Sequence, residues 1–131
     1  MPAPLRTNLM KHDEAAALAR TIFDLRRRRA DHLPAEVLGE ATWGMLLIMF
    51  IADAAGTRLT AYDLFAEATV HPPTGKRWMA VLMEAGLASS EGPCMGANVV
   101  SLTAKGISAI EACMQDASEV MMTKATPPTN V

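Results

Sequence analysis

Aromatic side chains are scarce in this sequence, with three Phe, two Trp and one Tyr among 131 residues. That excludes a core built on stacked rings. The ten Met and the aliphatic residues predict an aliphatic, adaptable core instead. Cysteine is scarcer still. Cys94 and Cys113 cannot make a disulfide framework, and the opening "MPAPLRTNLMKHDEAAALAR" has no apolar stretch of the secretory kind. The expectation is a cytoplasmic protein with reduced, inert thiols. An excess of positive charge is also missing. The formal net charge is −2, so the chain lacks the overall field of a general nucleic-acid binder. The longest apolar run, "WGMLLIMFIADAAG", meets Asp53 too soon to cross a bilayer, so it predicts a buried core helix and no membrane partner. No nucleophile–base–acid set, glycine-rich phosphate loop or pair of carboxylates in a cleft is recognisable. Neither an enzyme nor a bound cofactor is expected.

What is present supports one domain. Half of the residues are hydrophobic, enough for a real core at this length. Charge is unevenly placed. Residues 1–33 carry net +3, residues 34–57 net −3, residues 58–86 are neutral, and residues 87–131 carry net −2. Any positive surface must come from the first helix or from local clustering.

Residues 1–12 read as an arm with two prolines, and 13–122 as the folded domain. The first helix is predicted over Asp13–Asp31, with Leu18, Ile22 and Leu25 on one stripe. Arg26 to Arg29 close it. Four consecutive residues cannot share a helix face, and the run reads as a solvated helix end favoured by the helix dipole. "HLPAEVLG" is a connector. The next helix, Ala41–Ala55, shows Trp43, Leu46, Leu47, Phe50 and Ile51 as a wide apolar face and ends at Gly56. Thr60 caps a short helix to Ala68, with Asp63 at its third position. A turn over Thr69–His71 leads to a helix from Pro72 to Ala85, with Gly86 as the stop. "GLASSEG" and "NVVSL" read as strands around the loop "GPCMGA". Thr103 caps a last helix, Ala104–Met122. Its Ile107, Ile110, Met114, Ala117 and Met121 step by three and four, a pattern for pairing with another helix. Residues 123–131 form a tail. The fold class is therefore mainly α with a small β-hairpin.

Two helices, a three-residue turn between them and a hairpin after them make a winged helix-turn-helix. Here the sequence resembles the MarR family of transcriptional regulators. Leu59-Thr60, Asp63-Leu64, Ala66, Leu82, Gly86-Leu87, Leu102-Thr103 and Gly106 carry the resemblance, which runs from about Leu59 to Ala112. It implies a homodimer whose terminal helices pair, with Leu18 and Ile22 joining the 107–121 seam. It implies that the helix 72–85 enters a major groove of double-stranded DNA. It also implies release of an operator, usually by a repressor, when a small-molecule effector of phenolic or oxidant type arrives.

The residues expected at DNA are Thr74, Lys76 and Arg77 on that helix. Arg pairs bidentately with guanine, Lys reaches guanine or phosphate, and Thr reaches either base edges or phosphate. Thr60, His71 and Arg58 flank them. His71 has no companion at metal-ligand spacing and reads as a turn or phosphate residue. Pro73, Ala80 and Val81 share the outward face. Trp78 and Leu82 face inward, and Gly75 makes space for the indole. Two features depart from the family. Pro72 and Pro73 remove N–H groups from the helix start. The wing "SSEGPCMGAN" holds one Glu and no Lys or Arg. These features support a second reading, a winged-helix module that binds a protein partner without specific DNA binding.

Overall fold

The computed structural model describes residues 10–125. The expected arm over residues 1–9 and the tail from residue 126 lie outside the described residues. Helix α1 spans His12–Arg28 and tightens into a 3-10 turn at Arg29–Asp31. A second such turn, Ala35–Val37, leads to α2, Glu40–Ala55, which Gly56 ends in the left-handed conformation at φ 69°. Helices α3, Ala61–Glu67, and α4, Pro72–Glu84, follow. Strands β1, Ala88–Ser90, and β2, Val100–Leu102, precede α5, Ala104–Ala125. The last helix runs three residues beyond the expected Met122, and the first begins one residue early.

Local signals explain these boundaries. The Thr60 hydroxyl accepts from the Asp63 N–H at 3.1 Å and so caps α3. Thr69, at φ 57°, turns the chain into α4, where prolines occupy the first two positions and need no N–H. The Thr103 hydroxyl donates to the Gly86 carbonyl at 2.6 Å and accepts from the Gly106 N–H at 3.1 Å. It therefore caps α5 and ties it to the end of α4. Gly106 lies against the Leu87 carbonyl, where a Cβ would collide with backbone.

The strands pair antiparallel with Ala88 opposite Leu102 and Ser90 opposite Val100. The Val100 N–H also donates to the Leu59 carbonyl, and Val99 bridges Thr60, so the hairpin is stitched to the entry of α3. The core gathers Met45, Leu46 and Met49 of α2 with Leu64 and Phe65 of α3, Met79 and Leu82 of α4, and Ile110 of α5. Thr42 is buried among them, and its hydroxyl lies 2.8 Å from the Val37 carbonyl and 2.9 Å from that of Gly39.

Several expectations are corrected. On α2 the buried line is Thr42, Met45, Leu46 and Met49, while Ile51 is exposed. The helix is apolar on every side, so periodicity could not choose its inner face. On α4 the buried residues are Gly75, Met79 and Leu82. Trp78 is half-buried, packed at the edge of the core. Gly75 makes room for Phe65 rather than for the indole, since a Cβ there would lie 2.5 Å from Phe65 Cδ1. Val81 is half-buried too.

The α5 seam divides. Ile110 is 0% exposed within the single chain and Ile107 packs on the same core, so these two face inward rather than toward a partner. The 3,4 spacing identified an apolar face but not what covers it. Met114 and Met121, farther along, are exposed, and Ala117 is half-buried. Helix α1 buries no residue at all, and its Leu18, Ile22 and Phe23 are 47%, 58% and 48% exposed.

Candidate nucleic-acid interface

Helix α4 is the second helix of the helix-turn-helix, and its outer side is the candidate reading face. Gly75, Met79 and Leu82 point into the core, which turns Pro73, Arg77, Ala80 and Glu84 outward. Lys76 and Arg77 are exposed, and neither makes a hydrogen bond or ion pair with another described residue. Thr74 is half-buried on the flank. Glu84 lies two turns beyond Arg77 on the same side, an acid at the far end that the sequence reading passed over.

The flanking candidates have other attachments. The Thr60 hydroxyl is held by its capping bond. His71 is exposed at the N-cap of α4 and makes no capping bond through its ring. Arg58 pairs with Glu91 of the wing at 3.8 Å, with both side chains mostly in solvent. The wing acid therefore offsets the cation beside it, at small energetic gain.

Of the arginine run, two members are structural, which corrects the reading of a wholly solvated end. Arg28 donates to Asp116 of α5 at 3.0 Å, and the His32 ring meets the other oxygen of the same carboxylate at 2.8 Å. Arg29 stacks over Trp43 with 4.0 Å to the ring centroid, and Glu40 lies 3.6 Å away. Arg26 and Arg27 remain exposed. No local signal could have revealed Asp116, because its partners lie 88 and 84 residues away.

The wing tip is folded back. The Ala61 and Tyr62 N–H groups at the start of α3 donate to the Asn98 and Gly96 carbonyls at 2.9 and 3.0 Å. The Asn98 amide donates to the Pro93 carbonyl at 2.6 Å. Cys94, half-buried here, has its thiol pKa raised by burial, with Lys76 opposing. Buried Cys113 is raised by burial and by the Asp116 carboxylate, with Arg29 opposing. A second feature is a cavity of about 180 Å³ between α1, α2 and α5. Ile22, Leu25, Trp43 and Met114 supply apolar walls, and Arg29 and Asp116 supply charge. Arg29 Nη1 is buried without a hydrogen bond, and Glu40 at 3.6 Å is its ion-pair partner.

Solved structures share this architecture. MepR, a transcription regulator of Staphylococcus aureus, superposes with a TM-score of 0.58 at 16% identity, over 91% of this chain and 87% of its own. Its DNA complex matches at 0.53 and 19% identity, over 83% of this chain and 91% of that one. A transcriptional regulator of the MarR family from Silicibacter pomeroyi matches at 0.53 and 22% identity, over 86% and 75%. The fold is the MarR-type winged helix. NadR in complex with 4-hydroxyphenylacetate has this MarR-type fold too, with a TM-score of 0.57 at 19% identity over 94% of this chain and 83% of its own. No family model and no curated protein matches the sequence. Among the described residues, no helix is long and apolar enough to cross a membrane.

Proposed function

We propose that the protein is a cytoplasmic, non-catalytic transcriptional regulator, a repressor, that reads duplex DNA as a homodimer through α4. The observation that carries this reading is the pair Lys76 and Arg77. Two exposed cations with no hydrogen bond or ion pair among the described residues stand on the second helix of a helix-turn-helix, where this architecture places groove contacts. The MarR-type fold and the MepR–DNA complex support it. Thr74 and His71 lie beside the pair, while Thr60 serves the fold. Arg58 contributes after exchanging Glu91 for phosphate.

Helix α1 supports dimerisation. A seventeen-residue helix with no fully buried residue gains little from packing within the chain, and its exposed Leu18, Ile22 and Phe23 call for a cover. Leu18 and Ile22, with Met114, Ala117 and Met121, form that interface. The cavity lined by Arg29 is the effector site. Its size and the positive charge of Arg29 on its lining suit a small aromatic anion, and the ligand seen in NadR supports this class.

Fluorescence anisotropy with duplexes of varied sequence tests the contact. Arg77→Ala should cost about 1–3 kcal/mol on the preferred site and relax preference at one base position. An equal loss on every sequence would make Arg77 a phosphate contact. No loss on any would remove α4 from the interface. The wing favours an additional role in protein binding, because it brings no cation to DNA and its tip carries exposed Met95.

A further inference from the structure

Between α3, the start of α4 and the folded-back wing tip lies a groove of about 260 Å³. Phe65, Val70 and Pro72 form its apolar body. Tyr62 and Met95 stand on its walls and are 69% and 47% exposed. Lys76 is the one charged residue among the lining residues, and it has no partner among the described residues. We infer that this groove takes a short peptide segment of a partner protein, with an aromatic or branched apolar anchor beside a carboxylate that pairs with Lys76.

Three observations select this occupant. The walls are fixed before binding. The tip's carbonyls at Gly96 and Asn98 accept backbone bonds from Tyr62 and Ala61, and the Asn98 side chain braces the tip internally. A preformed groove avoids much of the ordering cost that a free loop would impose. The lining is apolar, and Tyr and Met are residues that recur where proteins bind proteins. A phosphate backbone laid along Tyr62 and Met95 would lose water and gain no cation from the wing, which has no Lys or Arg. The lone cation at the rim then selects a negative partner, one acid next to the anchor. Because Lys76 also belongs to the proposed reading face, the peptide and DNA exclude each other. That competition rests on the DNA reading; the docking itself rests only on the groove.

Selection from a phage-displayed library of random dodecapeptides on the full chain tests the proposal, with affinities of the winning peptides measured by fluorescence anisotropy. The winners should share an apolar anchor and an adjacent Asp or Glu. Their affinity should fall about tenfold on Met95→Gln, a neutral change at an exposed loop position, and at least as much on Lys76→Glu. Circular dichroism should show both variants folded. Arg77→Ala should leave peptide affinity unchanged while it weakens duplex binding, which separates this proposal from the DNA reading. A selection that yields no saturable binder, winners indifferent to Met95→Gln, or winners without an acid would each overturn it. A duplex whose affinity drops tenfold on Met95→Gln would assign the groove to DNA instead, and overturn it as well.

Discussion

Gly75 faces the ring of Phe65 across a gap that leaves no room for a methyl group. Alanine there would gain about 1 kcal/mol in helix propensity. Overpacking costs about 1–3 kcal/mol, and Phe65 is buried, so its ring moves only by giving up packing of its own. Gly75→Ala should therefore lower stability by up to about 2 kcal/mol, read as a drop of up to roughly 8 °C in thermal midpoint. A rise would show that the ring yields easily. Gly106→Ala meets backbone at Leu87 rather than a ring and should be worse. Cys113 gives a pH prediction. Its folded pKa is raised above the ordinary 9.0, so the folded chain holds the thiol proton more tightly than the unfolded one. That contribution is fully present below about pH 9 and fades as pH climbs through the folded value. Urea midpoints of the wild type relative to Cys113→Ala should converge between neutral pH and about pH 10. A gap that widens with pH would reverse the sign.

Among the elements, α1 leaves the stripe Leu18, Ile22 and Phe23 uncovered in the single chain. Leu18→Glu puts a charge on its exposed stripe, clear of the cavity that Ile22 lines. Sedimentation at tens of micromolar should show wild-type dimers and variant monomers of unchanged helicity. Ile110→Asp cannot make this test, because Ile110 is interior to the protomer and an unpaired charge there unfolds it. The contrast shows which elements were legible in the sequence. Caps at Thr60 and Thr103 and the left-handed stops at Gly56 and Gly86 were readable, since each depends on a few adjacent residues. So was the placement of Lys76 and Arg77 on the outside of α4. The inner face of α2 was not, because every face of it is apolar. Nor was the division of α5, since spacing marks a face without naming its cover. The Arg58–Glu91 pair and the folded-back wing depend on approaches between distant segments, which no local pattern encodes.

For the whole molecule, the distribution of charge decides more than its total. A chain of net −2 can bind DNA if its few free cations are concentrated on the element that enters the groove. Here Arg28 and Arg29 are committed to Asp116 and to Trp43 with Glu40, Arg58 pairs loosely with Glu91 in solvent, and the exposed cations left include Lys76 and Arg77 on α4 with Arg26 and Arg27 on α1. In the proposed dimer, affinity from phosphate contacts alone would then be modest, and specificity would rest on base contacts by α4 of each protomer. The direct measurement is selection of bound duplexes from a random pool by the full-length protein, with deep sequencing of the survivors. Two inverted half-sites should emerge, their centres about 10–11 base pairs or a multiple apart. Arg77→Ala should blur one symmetry-related position in both halves. A pool that shows no enriched motif, or a single half-site with no fixed partner, would contradict the dimeric reader.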